Sequence, residues 1–214
     1  MLSTKLKDQY LKPTAFIESD HKDVIEFANN AIKKITDPKL QSIKLFYAVR
    51  DKIAYDPYTF NLKPDKIKAS HVVSTKKGFC IPKAVLMTSV FRAVGIPARL
   101  GFANLINHIM GDELKNILKS NILAFHGYTE IYINDKWLRV TPTFNIELCS
   151  FLNVPTVEFD GESHAIFSST DNNGNQFMEY IEYHGTFDDV PLTKIVESMM
   201  IYYPMLKEHD ELLP

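Results

Sequence analysis

Apolar residues recur at helical spacing through the first half of the chain. Between His21 and Lys34, Val24, Ile25, Phe27, Ala28, Ala31 and Ile32 form one stripe, with Ser19 or Asp20 before it in the position of a cap. Asp37-Pro38 punctuates the pattern. Leu40 to Ile53 repeats it through Ile43, Phe46, Tyr47, Val49 and Ile53, and the run Tyr55-Asp56-Pro57-Tyr58 breaks that second helix. Residues 59–79, with Pro64 and Gly78 inside, read as irregular. A third helix is predicted from Cys80 to Val94. Pro82 suits its first turn, where a missing N–H costs little, Gly95 suits its C-terminal cap, and Pro97 stops it.

The period then changes. Arg99 to Leu105 is predicted as a strand and Asp112 to Lys119 as a short helix. His126 to Ile133 alternates, Asn134-Asp135 offers a two-residue turn, and Lys136 to Val140 returns as the partner strand. Pro155–Phe159 and Gln176–Tyr183 are further strand candidates, and Leu192 to Tyr202 a closing helix. Helices first and strands later predict an α+β fold, with N-terminal helices packed on an antiparallel sheet, in one domain spanning 1–214.

Composition narrows the function classes. The net charge is −2 and the basic residues are scattered, so no nucleic-acid partner is indicated. No stretch approaches the ~20 apolar residues of a membrane span, and the N-terminus lacks the apolar core of a secretory signal. A cytoplasmic protein is expected. The two cysteines, Cys80 and Cys149, are then expected to be free thiols. His108, His126, His164 and His184 stand at no metal-ligand spacing with either cysteine, so no metal or other cofactor is predicted.

Two segments carry chemistry. In Gly78-Phe79-Cys80-Ile81-Pro82-Lys83, the cysteine opens a helix, where free N–H groups and the dipole favour a thiolate. Cys80, Ala84, Met87 and Phe91 share one helix face, so a cysteine that is simply a small buried hydrophobe fits this segment equally well. In His126-Gly127-Tyr128-Thr129-Glu130, the even-numbered positions face one side of a strand. The two-residue turn pairs Ile133 with Lys136. His126 then falls opposite Thr143 and diagonal to Thr141, within reach of a hydroxyl that would orient an imidazole base.

Together these segments resemble the transglutaminase-like superfamily. The matching pieces are GFC at Gly78–Cys80, RAVGIPAR at Arg92–Arg99, HGYTEIYINDKW at His126–Trp137 and TPTFN at Thr141–Asn145. FYAVRDKIAYD at Phe46–Asp56 and LKPTAFIESD at Leu11–Asp20 add to them. The resemblance covers roughly residues 10–145 and implies a papain-like, transglutaminase-like core. It also implies a Cys–His enzyme in which Cys80 attacks an amide and His126 serves as base and acid. The family's third member is usually an aspartate in a D-P-T motif, and Thr141 stands in its place. Asn145, Asn104 and Asp160 are further candidates for the third member or for oxyanion support. Phe79, Tyr128 and Trp137 are candidates for substrate contact. The expected partner is a peptide or amide substrate, and the oligomeric state is left open. Hydrolysis is the first expectation. Acyl transfer to an amine, or a peptide-binding domain that keeps the fold without turnover, are the alternatives.

Overall fold

The computed structural model describes residues 8–214. Two helices open it, α1 (Lys22–Ile32) and α2 (Pro38–Lys52). His21, rather than Ser19 or Asp20, caps α1, its ring nitrogen accepting from the Asp23 N–H at 3.3 Å. Asp37 caps α2 through the Leu40 N–H at 2.8 Å, with Pro38 in the first turn. The stretch expected to be irregular is ordered. Residues 59–79 hold α3 (Pro64–Ile67), α4 (Ala69–Thr75) and β2 (Lys77–Gly78), and β2 pairs in parallel with β1 (Ala54–Tyr55), which precedes them. Elements this short contain too few turns to display a period.

Helix α5 (Cys80–Ala93) is the centre of the molecule, and every residue from Cys80 to Arg92 is buried. Helices α1, α2 and α4 pack against it, and the sheet closes its other side. Two buried cations fasten its ends. Lys83 donates to the Arg50 and Ile53 carbonyls at the C-terminal end of α2, where unpaired carbonyls and the negative end of the dipole favour an ammonium. Burial nevertheless pulls Lys83 down to about 7, against the attraction of Asp51. Arg92 donates to the carbonyls of Lys12, Ala98 and Asp188, joining three separate segments.

The second half supplies β3 (Ala98–Asn107), α6 (Asp112–Leu118), β4 (Ile122–Ile133), β5 (Lys136–Val140), α7 (Ile146–Leu152), β6 (Met178–Phe187) and α8 (Leu192–Tyr202). The four long strands form an antiparallel sheet in the order β5-β4-β3-β6. The Ile133–Lys136 pairing is as expected. Asn134 and Asp135 both take positive φ (49° and 61°), as a two-residue hairpin turn requires. Pairing stops at Thr129–Val140, so the expected His126–Thr143 pair does not form. Thr141 instead donates its N–H to the Ala165 carbonyl. Pro155–Phe159 is not a strand. Its Val157 carbonyl accepts from Arg50 and its Phe159 N–H donates to the Tyr47 hydroxyl, so side chains of α2 take the place of a neighbouring strand.

Gly101 of β3 faces Tyr128 of β4, whose ring lies over it. An added Cβ would stand 2.2 Å from the ring. Gly101→Ala should therefore cost about 1–3 kcal/mol of folding stability, the usual range for overpacking. Gly111→Ala, with no atom within 4 Å of the added carbon, should leave stability nearly unchanged. Urea denaturation of both variants checks the pair. Equal midpoints would contradict the packing described.

Candidate active site

Cys80 is the first residue of α5 and is 8 % exposed. Its thiol borders a cavity of ≈ 50 Å³, lined on one side by Tyr55, Phe79 and Leu123 and on the other by Met199 and Tyr203 from the C-terminal segment. That volume holds a water or two and no peptide side chain. Tyr203 is held in place by its hydroxyl, which donates to the Ile122 carbonyl at 2.9 Å and accepts from the Ala124 N–H at 2.8 Å. Burial pushes the Cys80 thiol up to about 11, opposed by the N–H groups of Gly127, Ile81 and Cys80 itself. The helix end was expected to acidify this thiol; burial beside this small, mostly apolar cavity instead raises it.

His126 and Gly127 on β4 run past the first turn of α5. A Cβ on Gly127 would lie 3.2 Å from the Ile81 Cα and 3.3 Å from the Ala84 Cβ, so the strand comes this close because residue 127 is glycine. Two residues on, the Thr129 hydroxyl donates to the Ala84 carbonyl at 3.1 Å. Gly127 and Thr129 face α5, and alternation turns His126 and Tyr128 to the other face. There the His126 ring meets Phe167, with centroids 5.5 Å apart. Both ring nitrogens are buried without a hydrogen-bond partner, so no bond joins His126 to Cys80 or to Thr141 in this state.

The buried hydroxyls of Thr141, Thr143 and Tyr180 are likewise unpartnered. Burial raises the Tyr180 phenol strongly. The Thr141 side chain and the Phe167 backbone act against that rise, yet neither reaches hydrogen-bonding geometry with it. Unpartnered buried polar atoms are costly, and His126, Thr141, Thr143 and Tyr180 together make this region the candidate site.

A family model for the transglutaminase-like superfamily matches residues 25–142, more than half of the 214-residue chain. The chain belongs to the transglutaminase-like superfamily. It is 31% identical over 110 residues to a protein-glutamine gamma-glutamyltransferase of Pseudomonas aeruginosa. That match takes in 48% of this chain but only 16% of the relative's length. Among solved structures, a candidate cysteine protease from Cytophaga hutchinsonii superposes with a TM-score of 0.56 at 16% identity, over 91% of this chain and half of the other. The periplasmic domain of TgpA from Pseudomonas aeruginosa gives 0.46 at 20% identity, over 66% of this chain and 48% of that one.

The remaining candidates fall in several places on this transglutaminase-like fold. Phe79 lines the Cys80 cavity. Tyr128 does not: it lies across Gly101 and near Arg139, 5.9 Å from the guanidinium. Trp137 is also distant from the cavity lining, stacked on Arg99 at 4.0 Å and edge-on to Tyr10. Asn145 accepts from the Tyr55 N–H and donates to Glu147, and Asp160 accepts from Glu162 and Ser163 within its own turn. Both are occupied by local backbone or neighbours and neither bonds to His126. Asn104 has a positioning role. It accepts from the Phe125 N–H at 2.9 Å where β3 and β4 slip register and Phe125 takes φ 49°, one residue before His126. A bulge here re-aims the histidine. Sequence reasoning missed Met199, Tyr203, Tyr180 and Phe167, which come from distant segments without a motif. Among the described residues no group of three His, Cys, Asp or Glu side chains is arranged to hold a metal, and no helix is long and apolar enough to cross a membrane.

Burial alone pulls the His126 imidazole down to about 3 from its ordinary 6.5. The unfolded chain therefore binds an additional proton between pH 6.5 and 3, and stability is lost as pH falls through that window. Urea midpoints measured from pH 7 to pH 4 should fall more steeply for wild type than for His126→Gln. Parallel slopes would show that His126 is solvated or already paired.

Proposed function

We propose that this protein is a thiol-dependent hydrolase of amide or peptide bonds, with Cys80 as nucleophile and His126 as base and acid. The observation that carries the reading is the seating of the Cys80 thiol at the N-terminus of a fully buried helix, beside the Gly127 N–H and next in the chain to a buried neutral histidine. In this reading the resting pair is neutral, and substrate entry moves the Met199–Tyr203 cover and turns the His126 ring from Phe167 toward the Cys80 sulfur. His126 takes the thiol proton as sulfur bonds to the carbonyl carbon, and the Cys80 N–H donates to the developing oxyanion. The C–N bond then breaks and the imidazolium protonates the leaving amine. Water attacks the thioester, gives its proton to His126, and the C–S bond breaks as the thiolate recovers that proton. The Thr141 hydroxyl orients the imidazole without supplying a charge, a role that neutral asparagine fills in papain-like enzymes.

Acyl transfer to an amine is the second reading, favoured by the small, mostly apolar cavity, which disfavours water at the thioester. The 31% identity to a gamma-glutamyltransferase points the same way. We place the activity in the cytoplasm, consistent with two free thiols, Cys80 and Cys149.

A mixed library of blocked peptides and amides, with and without added glycine ethyl ester, tests these readings by mass spectrometry. Wild type should convert amides to acids, and Cys80→Ala and His126→Gln should each lose about 10³-fold or more in rate. Amine adducts in place of acids would select the transfer reading. Turnover that survives Cys80→Ala, or none in wild type, would defeat the enzyme assignment.

A further inference from the structure

A groove of ≈ 470 Å³ adjoins the Cys80 cavity and shares Tyr55, Pro57, Leu114 and Leu123 with it. One wall is α7, which presents Leu148, Phe151 and Leu152. The other is α6 with the turn that leads into it. Phe151 is 84% exposed and Ile146, on the same helix, 47%. Phe151 is thus the most exposed large apolar side chain among the described residues, and it stands at the mouth of an apolar-lined groove. The groove's charged lining residues are all acidic: Asp56, Asp112 and Glu113. Lys77 pairs with Asp56 and the Tyr58 hydroxyl donates to Glu113, whereas Asp112 has no ion-pair partner among the described residues.

We propose that this groove is the substrate-binding subsite, and that it takes a peptide segment carrying a large apolar side chain next to a basic one. The proposal deepens the amide-cleaving reading and rests on it for the identity of the neighbouring cavity. Two observations choose the occupant. Continuity through the four shared residues makes a chain lying in the groove arrive at Cys80, and a volume within the range of ordinary ligand sites accommodates one or two side chains. The apolar wall of α7 accepts a leucine or phenylalanine, and the acidic rim selects a neighbouring lysine or arginine over a glutamate by charge complementarity. In this arrangement Phe151 and Asp112 are specificity residues and contact no reacting atom.

The test separates binding from chemistry by using the Cys80→Ala protein. Fluorescein-labelled blocked hexapeptides are compared by anisotropy: one with a central Lys-Phe, one with Glu-Phe and one with Lys-Ser. Lys-Phe should bind roughly tenfold tighter than either control, by the usual discrimination of an apolar pocket and a charged rim. Phe151→Ser should remove the preference for Phe and Asp112→Asn the preference for Lys, each by about five- to tenfold. Both positions lie on the surface lining, and unchanged melting temperatures would verify that the fold is intact. Equal affinity for the three peptides, an unaltered preference in Phe151→Ser, or absence of binding would each overturn the groove assignment, whether or not wild type turns over amides. Selective binding with no turnover by wild type would sustain the groove and defeat the enzyme reading instead.

Discussion

Burial of α5 from Cys80 to Arg92 is the constraint on which the rest of this structure depends. A helix with one apolar face needs one partner surface, but one buried from Cys80 to Arg92 must be enclosed by several. Helices α1, α2 and α4 supply part of the enclosure and the sheet the remainder. Enclosure also forces an account of the polar groups on α5. Lys83 and Arg92 cannot reach water and are satisfied by backbone carbonyls, so their ends of the helix are tied to α2, β3, the N-terminal segment and the segment after β6. Thr88 and Ser89 are satisfied by Thr129 and the Val85 carbonyl. The position of Cys80 follows from this. It is the first residue of a helix that has no freedom to shift.

The same enclosure sets the chemistry of the resting site. A thiol at a solvated helix end would be acidified, but Cys80 faces a small apolar cavity under Met199 and Tyr203, and the field of the helix acts against a larger loss of hydration. His126 sits in a comparably dry place on the far face of β4. The resting pair is therefore uncharged and not in contact: Gly127, the neighbour of His126, touches the first turn of α5, while the imidazole lies against Phe167. Asn104 and the bulge at Phe125 set where that histidine points.

Much of the fold was legible in the sequence where periods were long. The helix from Cys80, the hairpin at Asn134-Asp135 and the closing helix Leu192–Tyr202 all stand where pattern and turn chemistry put them. Short elements were not legible, because α3 and α4 contain one or two turns each. Pro155–Phe159 was read as a strand because its alternation is real, but its backbone bonds go to α2 side chains. Of the proposed site, Cys80 and His126 are singled out in the sequence by local motif and resemblance. The bulge that interrupts the alternation of β4 leaves no trace in composition, and Tyr203, Met199 and Tyr180 reach the site from segments more than 50 residues beyond His126, where only the three-dimensional path reveals them.

The central claim, that the Cys80 sulfur forms the acyl bond, is tested most directly by trapping. Wild type mixed with the 4-nitrophenyl ester of a blocked peptide, quenched in acid as nitrophenol appears, is mapped by peptide mass spectrometry. The account predicts a hydroxylamine-labile acyl group on Cys80 during turnover. Nitrophenol release with Cys80 unmodified, or with the acyl group on Cys149 or a lysine, would contradict it.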